Sequence, residues 1–166
     1  MPDLTPKRAS ESASEMVQVV LPNDANPLGF ILGGSVMHLI DIAGAIACHR
    51  HTRSLLVTAA VDDLQFLHPI KVGDLIILKS RVTCAFTTSL EVQVDVFSEE
   101  TLTGRRRLTS RAYLTFVAIS SDGTRVPVPP LLLEMEEDRR VAGEARARRA
   151  DRLRKRACGR AEPRPE

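Results

Sequence analysis

The sequence predicts an α+β fold in which one long central helix is wrapped by an antiparallel sheet of five to six strands, with a charged helix at the C-terminal end. Three observations predict this fold. Residues 33–53 are apolar on nearly every helical side, the strands predicted at residues 88–98 and 107–119 alternate apolar and polar side chains, and the connections between the strands are short. A helix that is apolar all round is buried, and short connections join antiparallel strands. One sheet can bury such a helix only by wrapping around it.

The elements before the sheet are a short strand and the long helix. Residues 16–21 are rich in residues that favour strands, and the cluster Pro-Asn-Asp-Ala-Asn-Pro at residues 22–27 predicts a turn that ends this strand. The helix begins at residues 33–35 (Gly-Gly-Ser), with Ser35 as the predicted cap. It runs to about Arg53, so its length is roughly 27 Å at about 1.5 Å per residue.

Four further strands are predicted at residues 55–66, 75–86, 88–98 and 107–119. The third has the clearest period of two, with apolar side chains at every second position (Leu90, Val92, Val94 and Val96). Prolines at positions 127, 129 and 130 end the sheet. A buried helix followed by such an antiparallel meander is the hot-dog architecture.

Composition and charge are those of one globular domain. The chain has 166 residues, of which 43% are hydrophobic and 27% charged. Its net charge of +2 does not indicate a nucleic-acid partner, and the positive excess lies after residue 130. The three cysteines (Cys48, Cys84 and Cys158) have no CxxC spacing, so neither a metal site nor a disulfide framework is predicted, which fits a reducing cytosol.

Three regions divide the chain. Residues 1–15 are polar and Ser-rich, without the apolar run of a signal peptide, and are predicted to be a disordered leader. Residues 16–130 are predicted to form the hot-dog domain. Residues 131–166 have helical composition with little apolar periodicity, which predicts a charged helical tail. No apolar run reaches the roughly 18 residues of a membrane span, so we expect a cytoplasmic protein without a membrane partner.

Several short motifs follow one another along residues 16–130. The motifs are Pro22-Asn-Asp-Ala-Asn26, Gly33-Gly34, Met37-His-Leu-Ile-Asp41-Ile-Ala-Gly44, Phe66-Leu-His-Pro69, Val72-Gly-Asp74, Leu90-Glu-Val-Gln-Val-Asp-Val-Phe-Ser-Glu99, Leu102-Thr-Gly104 and Val126-Pro-Val-Pro-Pro130. With these motifs the chain resembles the hot-dog acyl-CoA thioesterases, most nearly the bacterial broad-specificity type and the cytosolic long-chain acyl-CoA hydrolases. It departs from many relatives at Leu32, where they carry His, and from some at Ala60, where they carry Arg.

The resemblance implies an activity, a site and an assembly. The activity is hydrolysis of fatty acyl-CoA to free fatty acid and CoA, without a cofactor other than the CoA of the substrate. The catalytic residues implied are Asn26 and Asp41, contributed by different protomers across a dimer interface. The implied assembly is a homodimer as the minimal unit and a homohexamer, a trimer of dimers. Exposed edge strands by themselves also favour dimerisation.

Asp41 is the only formally charged side chain between Asp24 and Arg50. An unpaired buried charge is costly, so this carboxylate must be solvated, paired or used in chemistry. As a general base it would activate water, a contribution of roughly 10²–10⁴ in rate. Direct nucleophilic attack, giving an anhydride, is an alternative. A carboxylate with a purely structural role is another.

The other catalytic candidates precede Asp41 in the chain. Gly33 and Gly34 lie at the helix start, where a thioester oxygen could approach their N–H groups and the helix dipole favours developing negative charge. Such a donor contributes on the order of 10²–10³ in rate, although the two glycines could serve only a tight turn. Asn26 could orient the water or donate to the carbonyl. By itself an Asn before Pro is more often a turn residue, and only the resemblance favours catalysis.

CoA carries phosphates, so basic and hydroxyl side chains are expected near the site. The candidates for CoA binding are Thr87, Thr88, Ser89, Arg105, Arg106, Arg107, Lys79 and Arg111. For each of them a solvated place in a strand or turn is an open alternative. His38 lies three residues before Asp41 but is interpreted as a packing or interface residue, and the remaining histidines lack metal-ligand spacing, so no metal is predicted.

Two other functions fit the same fold. A hydratase or dehydratase is suggested by Asp24-Ala-Asn-Pro27, but its motif would continue to a His that residues 28–32 do not supply. A non-enzymatic acyl-CoA sensor could dispense with the acid, so the presence of both Asn26 and Asp41 argues against it. The arginines of the tail are interleaved with acids and lack aromatic neighbours, which argues against a nucleic-acid arm.

Overall fold

The computed structural model describes residues 3–159 of the chain. These residues form two compact units, one that ends at Leu132 and one that begins at Leu133. The elements in chain order are β1 (Lys7–Arg8), α1 (Ala9–Ser12), β2 (Ser14–Val19), α2 (Gly33–Thr52), β3 (Leu55–Phe66), β4 (Leu75–Ala85), β5 (Ser89–Glu99), β6 (Arg106–Ile119), β7 (Leu131–Leu132) and α3 (Glu136–Gly159). A 3₁₀ turn at Pro22–Asp24 precedes α2.

A five-stranded antiparallel sheet in the order β2-β4-β5-β6-β3 is the main element of the first unit. Helix α2 contacts all five strands. The sheet and its central helix confirm the predicted hot-dog fold. The strands agree with the predicted ranges to within one or two residues, because alternating side chains in β5 and β6 and the turns between strands carry a strong sequence signal.

The core lies between α2 and the sheet. The side chains of Leu90, Val92, Val94 and Val96 on β5 are fully buried. Burial of a side chain of this size contributes roughly 1.5–3 kcal/mol. Gly44 marks the closest approach, because a Cβ at this position would lie 3.1 Å from both Phe116 Cε2 and Val92 Cγ1.

Helix α2 is not buried on every side, which corrects the expectation from its composition. Met37 and Ile46 on α2 are 47% and 36% exposed. A single sheet covers only the helix face that it contacts, so the opposite face of a helix that is apolar all round stays open in one protomer. The helix also begins at Gly33 with Leu32 as its N-cap, so Ser35 is a residue of the first turn and not the predicted cap.

Residues 7–15 are structured, in contrast to the predicted disordered leader. Lys7–Arg8 pairs in parallel with Leu131–Leu132, and Ser14 and Glu15 begin the edge strand β2. The Ser14 hydroxyl lies 2.8 Å from the Ser80 hydroxyl. Polar composition did not reveal this order, since backbone hydrogen bonds to neighbouring strands hold the segment.

Two irregularities interrupt β3, the edge strand next to β6. The register shifts between Thr58 and Ala60, and again between Asp62 and Gln65, where Asp63 has a φ of 54°. A bulge changes which side chains point to each face of the sheet. Thr58 pairs with Phe116 of the core face, whereas Ala60 pairs with Thr115 of the other face.

The second unit contains α3, and its boundary lies slightly later than the predicted start of the tail at residue 131. Arg140 forms ion pairs with Glu137 and Glu144, and Arg154 pairs with Asp151 at 2.7 Å. Such exposed pairs are screened by solvent and contribute little to stability. The part of the predicted tail after residue 159 lies outside the described residues.

Candidate active site

Asp41 lies on α2 and is held by the edge strand β3. The Thr58 hydroxyl donates a hydrogen bond of 2.7 Å to Asp41 Oδ1. Asp41 is half-buried, and its Oδ2 accepts no hydrogen bond from the described residues. One carboxylate oxygen therefore fixes the orientation of the group, and the other is available to a water molecule or a substrate.

Thr58 is a candidate site residue that sequence reasoning missed. It lies 17 positions after Asp41 in the chain, and a threonine in a strand attracts no attention by itself. One signal was present: Thr58 is the only hydroxyl side chain in the strand Leu55–Phe66. The strand has one hydroxyl side chain, and the helix that it faces has one carboxylate. These two groups are a reasonable pair to test for contact.

Asn26 is fixed by the loop in which it lies. Its side-chain Oδ1 accepts hydrogen bonds from the N–H groups of Leu28, at 3.0 Å, and Phe30, at 3.2 Å. Its own N–H donates to the Phe30 carbonyl at 2.8 Å, and its carbonyl accepts from the Gly29 N–H at 3.0 Å. Two donors at Oδ1 leave the amide Nδ2 as the free end of the side chain. Asn26 can therefore donate to a carbonyl oxygen.

A groove of about 350 Å³ opens beside Asn26. Its polar lining consists of Asn26, His68 and Ser110. Most of the remaining lining is apolar and comes from Phe30, Ile31, Val36, Phe66, Leu67, Pro69 and Ile70. An apolar groove with few polar groups is the usual form of a site for a small apolar ligand.

Gly33 lines this groove and Gly34 does not. Gly33 is the first residue of α2, and no group of the described residues accepts a hydrogen bond from its N–H. The first N–H groups of a helix lack intrahelical partners, and the helix dipole gives this end a partial positive charge. A Cβ at Gly33 would meet Phe66 Cζ at 3.5 Å, an ordinary contact, so the glycine is not required by packing.

Asn26 and Gly33 meet at one groove, whereas Asp41 lies elsewhere on the same protomer. Asp41 is eight residues further along α2 than Gly33, a distance of roughly 12 Å along the helix axis. It is not among the residues that line the groove. A single protomer therefore carries the free N–H groups of Asn26 and Gly33 in one place and the Asp41 carboxylate in another.

The candidates for CoA binding are spread over several places. Lys79 is paired with Glu15 at 3.2 Å and Arg111 with Asp95 at 2.5 Å. Thr87, Thr88 and Ser89 lie at the turn between β4 and β5, where their backbone carbonyls accept hydrogen bonds from Val128, Ala118 and Phe86.

The three consecutive arginines of the β5–β6 connection have different surroundings. Arg106 is paired with Glu99. Arg105 and Arg107 line a further groove of about 270 Å³. Of the eight CoA-binding candidates, only these two line a groove that adjoins the one beside Asn26, since Phe30 and Pro69 line both grooves.

Other reactive groups do not form a second site in the described part of the chain. Burial raises the pKa of the Cys48 thiol far above its ordinary value, so this thiol stays protonated. Within residues 3–159, no group of three or more His, Cys, Asp or Glu is placed to hold a metal ion. No helix in that range is long and apolar enough to cross a membrane.

The sequence is similar to those of known thioester hydrolases. Residues 28–104 match the sequence model of the thioesterase superfamily. The uncharacterized acyl-CoA thioester hydrolase YkhA of Bacillus subtilis (strain 168) is 40% identical over 136 residues, which cover 81% of this chain and 79% of that protein. The cytosolic acyl coenzyme A thioester hydrolase of Homo sapiens is 33% identical over 162 residues, which cover 96% of this chain and 42% of that protein. The chain thus spans less than half the length of the human relative.

Solved structures of similar fold are also named as acyl-CoA hydrolases or thioesterases. The acyl-CoA hydrolase of Bacillus cereus superposes with a TM-score of 0.88 at 33% identity, covering 94% of this chain and 95% of that one. A hexameric acyl-CoA thioesterase gives a TM-score of 0.87 at 37% identity, covering 92% and 98%. The Staphylococcus aureus acyl-CoA hydrolase in complex with butyryl coenzyme A, coenzyme A and coenzyme A disulfide gives 0.85 at 32% identity, covering 93% and 94%.

The fold and these similarities define the class. The chain belongs to the acyl-CoA thioester hydrolases of the thioesterase superfamily. The predicted family, fold and enzyme class are therefore confirmed. Hydrolysis is favoured over the hydratase and sensor hypotheses, because the relatives and structures described above are named as hydrolases or thioesterases.

Proposed function

We propose that this enzyme hydrolyses fatty acyl-CoA at a site shared by two protomers, with Asp41 from one and Asn26 and Gly33 from the other. One observation carries the proposal. Asn26 and Gly33 meet at an apolar groove, whereas Asp41 is held by Thr58 at the edge of the sheet, so neither place has both a base and a carbonyl-binding donor.

The two groups of residues have complementary chemistry. The Asn26 amide and the Gly33 N–H would donate to the thioester oxygen, which becomes negative as the tetrahedral intermediate forms. Asp41 would take a proton from the water whose oxygen bonds to the carbonyl carbon. Cleavage of the C–S bond then releases the CoA thiolate, which takes up the proton, and the free fatty acid. Gly34, which does not line the groove, serves the helix start in this scheme.

The edge strand β3 supports a composite site. Beyond β3, no strand of the described residues pairs with this edge of the sheet. Leu55, Val57 and Val61 on β3 are 56%, 45% and 47% exposed. A long apolar edge strand is a template for pairing with another chain, and a twofold pair presents the same surface from both chains. Phe66 at the end of β3 lines the groove beside Asn26, and Thr58 on the same strand holds Asp41. An antiparallel pair of β3 strands would therefore bring Asn26 of the partner subunit toward Asp41.

Engineered variants of a similar enzyme also support these assignments. The Staphylococcus aureus acyl-CoA hydrolase has been solved with an asparagine, an aspartate or a threonine replaced by alanine. The asparagine and aspartate are 15 positions apart, and the aspartate and threonine are 17 apart. Asn26, Asp41 and Thr58 have the same separations in this chain.

The assembly and the cellular place belong to the same proposal. A hexameric acyl-CoA thioesterase of 37% identity supports a hexamer made of three such dimers. The name of the human relative supports a cytosolic enzyme. The proposed mechanism uses no cofactor, because the carboxylate, the amide and the helix N-terminus supply its steps.

Complementation between two inactive variants tests the shared site. Asn26→Ala and Asp41→Asn proteins, each inactive alone, are co-expressed with different affinity tags, and acyl-CoA hydrolysis is measured on the mixture. In a mixed dimer one of the two sites would have an intact Asn26 and an intact Asp41, so random pairing should restore about a quarter of wild-type activity. Activity that stays at the level of the single variants, in mixed dimers isolated through both tags, would show that one chain supplies the whole site.

A further inference from the structure

We propose that Ser110 recognises a hydroxyl group on the acyl chain, which makes hydroxyacyl-CoA thioesters the preferred substrates of this enzyme. This inference rests on the proposed thioesterase function and names a substrate class for the same site. The groove beside Asn26 has three polar residues in its lining, Asn26, His68 and Ser110. The proposed hydrolysis uses only the first of them.

Ser110 lies on the face of the sheet that packs against α2. It pairs with Val96 of β5 and with Phe66 of β3, and Val96 is fully buried in the core. The register of β5 and β6 shifts between Val96 and Phe97, and Thr109 stays outside the pairing, with its hydroxyl donating to the Val96 carbonyl at 3.0 Å. Because opposite residues of paired strands share a face, the Ser110 side chain lies on the core face, where the groove opens.

The hydroxyl of Ser110 has no partner of its own. The residue is only 2% exposed, and none of the residues that the structure describes forms a hydrogen bond with this hydroxyl. Among the described side chains, the atoms that are both enclosed and unpartnered are His51 Nδ1 and Thr115 Oγ1. Ser110 Oγ is not one of them, so it is open to the groove that the residue lines. His68 differs, because it is exposed and its ring can be solvated by bulk water.

The substrate decides whether the Ser110 hydroxyl is paired. Its neighbours in the lining are mostly apolar and include Phe30, Ile31 and Ile70. An unsubstituted acyl chain would displace water from this hydroxyl and leave a buried polar group unpaired, which is unfavourable. A hydroxyl on the chain would take the place of that water, because each hydroxyl can both donate and accept a hydrogen bond. A site with a buried polar group disfavours the analogue that lacks its partner.

The position of Ser110 fits a hydroxyl near the thioester end of the chain. A Cβ at Gly33 would lie 3.5 Å from Phe66 Cζ. Phe66 is the cross-strand partner of Ser110, and the Cα atoms of such a pair lie roughly 5 Å apart. One side chain, that of Phe66, therefore separates Ser110 from the N–H group that is proposed to bind the thioester oxygen. A hydroxyl on the first several carbons of the chain can reach Ser110 while the carbonyl stays at Gly33.

Substrates of one chain length that differ only in a hydroxyl test the inference. Steady-state kinetics are measured with octanoyl-CoA and with its 3-hydroxy and 5-hydroxy derivatives for the wild type and Ser110→Ala. The wild type should have a higher kcat/KM for at least one hydroxylated substrate than for octanoyl-CoA. The ratio of these two kcat/KM values should fall about tenfold in Ser110→Ala, because the variant loses a hydrogen bond to one substrate and removes an unpaired hydroxyl from the path of the other.

Two further variants make the result specific to the Ser110 hydroxyl. Ser80→Ala is the matched control, because Ser80 is 3% exposed and its hydroxyl lies 2.8 Å from that of Ser14, outside the groove beside Asn26. Its ratio should equal that of the wild type. Ser110→Cys keeps the shape of the side chain with only a weak donor, so its ratio should also fall, and it replaces Ser110→Ala if thermal unfolding shows that the alanine variant does not fold.

The outcomes separate this inference from the proposed function. A wild type that hydrolyses octanoyl-CoA at least as well as both derivatives, or Ser110 variants with the wild-type ratio, would overturn the role of Ser110 and leave the thioesterase assignment intact. Equal losses with all three substrates would also overturn it, since Ser110 would then act on folding or on the CoA arm. The same holds if Ser80→Ala lowers the ratio as much as Ser110→Ala. Absence of hydrolysis of all three substrates by the wild type would instead overturn the proposed function.

Discussion

The Asn26 loop and the Asp41 face differ in how much of their surroundings one protomer supplies. Asn26 has its backbone and its side-chain oxygen bonded within the loop and lies at a formed groove. Asp41 has one hydrogen bond, from an edge strand with exposed apolar side chains. The Asn26 loop lies at a groove that lacks a carboxylate, whereas Asp41 supplies a carboxylate and does not line that groove. In the proposed site, one protomer thus completes the surroundings of Asn26 and leaves those of Asp41 open to a partner.

Substitution of Asn26 should have the largest effect on turnover. Two variants separate its two proposed roles, which are donation to the substrate and stabilisation of the loop. Asn26→Asp keeps an oxygen that can accept from the Leu28 and Phe30 N–H groups but cannot donate to the substrate. We expect kcat to fall by roughly 10²–10³, with thermal stability close to that of the wild type. Asn26→Ala should lose a similar amount of activity and also stability, because the loop loses both bonds. Appreciable turnover by Asn26→Asp would contradict carbonyl donation by the amide.

Thr58→Val, which alters the surroundings of Asp41, should have a smaller effect on turnover. The valine keeps the shape of the side chain but removes the hydrogen bond to Asp41 Oδ1. A net loss of about 1–1.5 kcal/mol corresponds to roughly tenfold in kcat, with KM unchanged. Thr58→Ser keeps the hydroxyl and serves as the control, and it should retain most of the activity. If both variants turn over at the wild-type rate, Thr58 does not position the carboxylate.

The smallest expected effect is on stability and concerns His51, which lies outside the surroundings of both Asn26 and Asp41. This residue is fully buried at the end of α2, and its Nε2 donates to the Pro129 carbonyl at 3.0 Å. Its Nδ1 has no partner among the described residues. Burial lowers the pKa of His51 most, Lys7 lowers it further, and the bond to Pro129 and the charge of Glu11 oppose this shift.

The pH dependence at His51 follows from the direction of that shift. The unfolded chain binds a proton at the ordinary pKa of 6.5, and the folded chain binds it only at lower pH. Stability should therefore be complete above pH 6.5 and fall as the pH falls below it. Denaturant unfolding between pH 7.5 and 5 should show a smaller slope for His51→Gln, which retains a donor for Pro129, while kcat at pH 7.5 is unchanged. An equal slope in both proteins would argue against His51 as the source.

The regular elements were predicted well from the sequence. Each element that was not predicted has a physical reason for the failure. Helix α2 and strands β4 to β6 follow from apolar periodicity, which reports local burial directly. The bulges of β3 left no such signal, because a shift of one residue depends on the pairing with β6 and not on composition. Residues 7–15 are polar, yet they are ordered by backbone bonds that composition does not reveal.

The candidate site was predicted in the same uneven way. Asn26, Gly33 and Asp41 came from the motifs, and the structure added their division between two places on the protomer. Thr58 was missed, because it takes its proposed role from Asp41, a neighbour distant in the chain. The basic candidates for CoA binding were chosen by charge alone, and intramolecular ion pairs occupy several of them.

Gly44 has a consequence that reaches beyond packing. The contacts of 3.1 Å that a Cβ would make with Phe116 and Val92 set how closely α2 can approach the sheet, one turn away from Asp41. In the proposed site, a larger residue at position 44 would lift that turn of the helix and move the carboxylate relative to a substrate held by the other chain. The size of residue 44 is thus limited by packing and, in the proposed site, by reaction geometry, so a larger residue there would impair turnover as well as core packing.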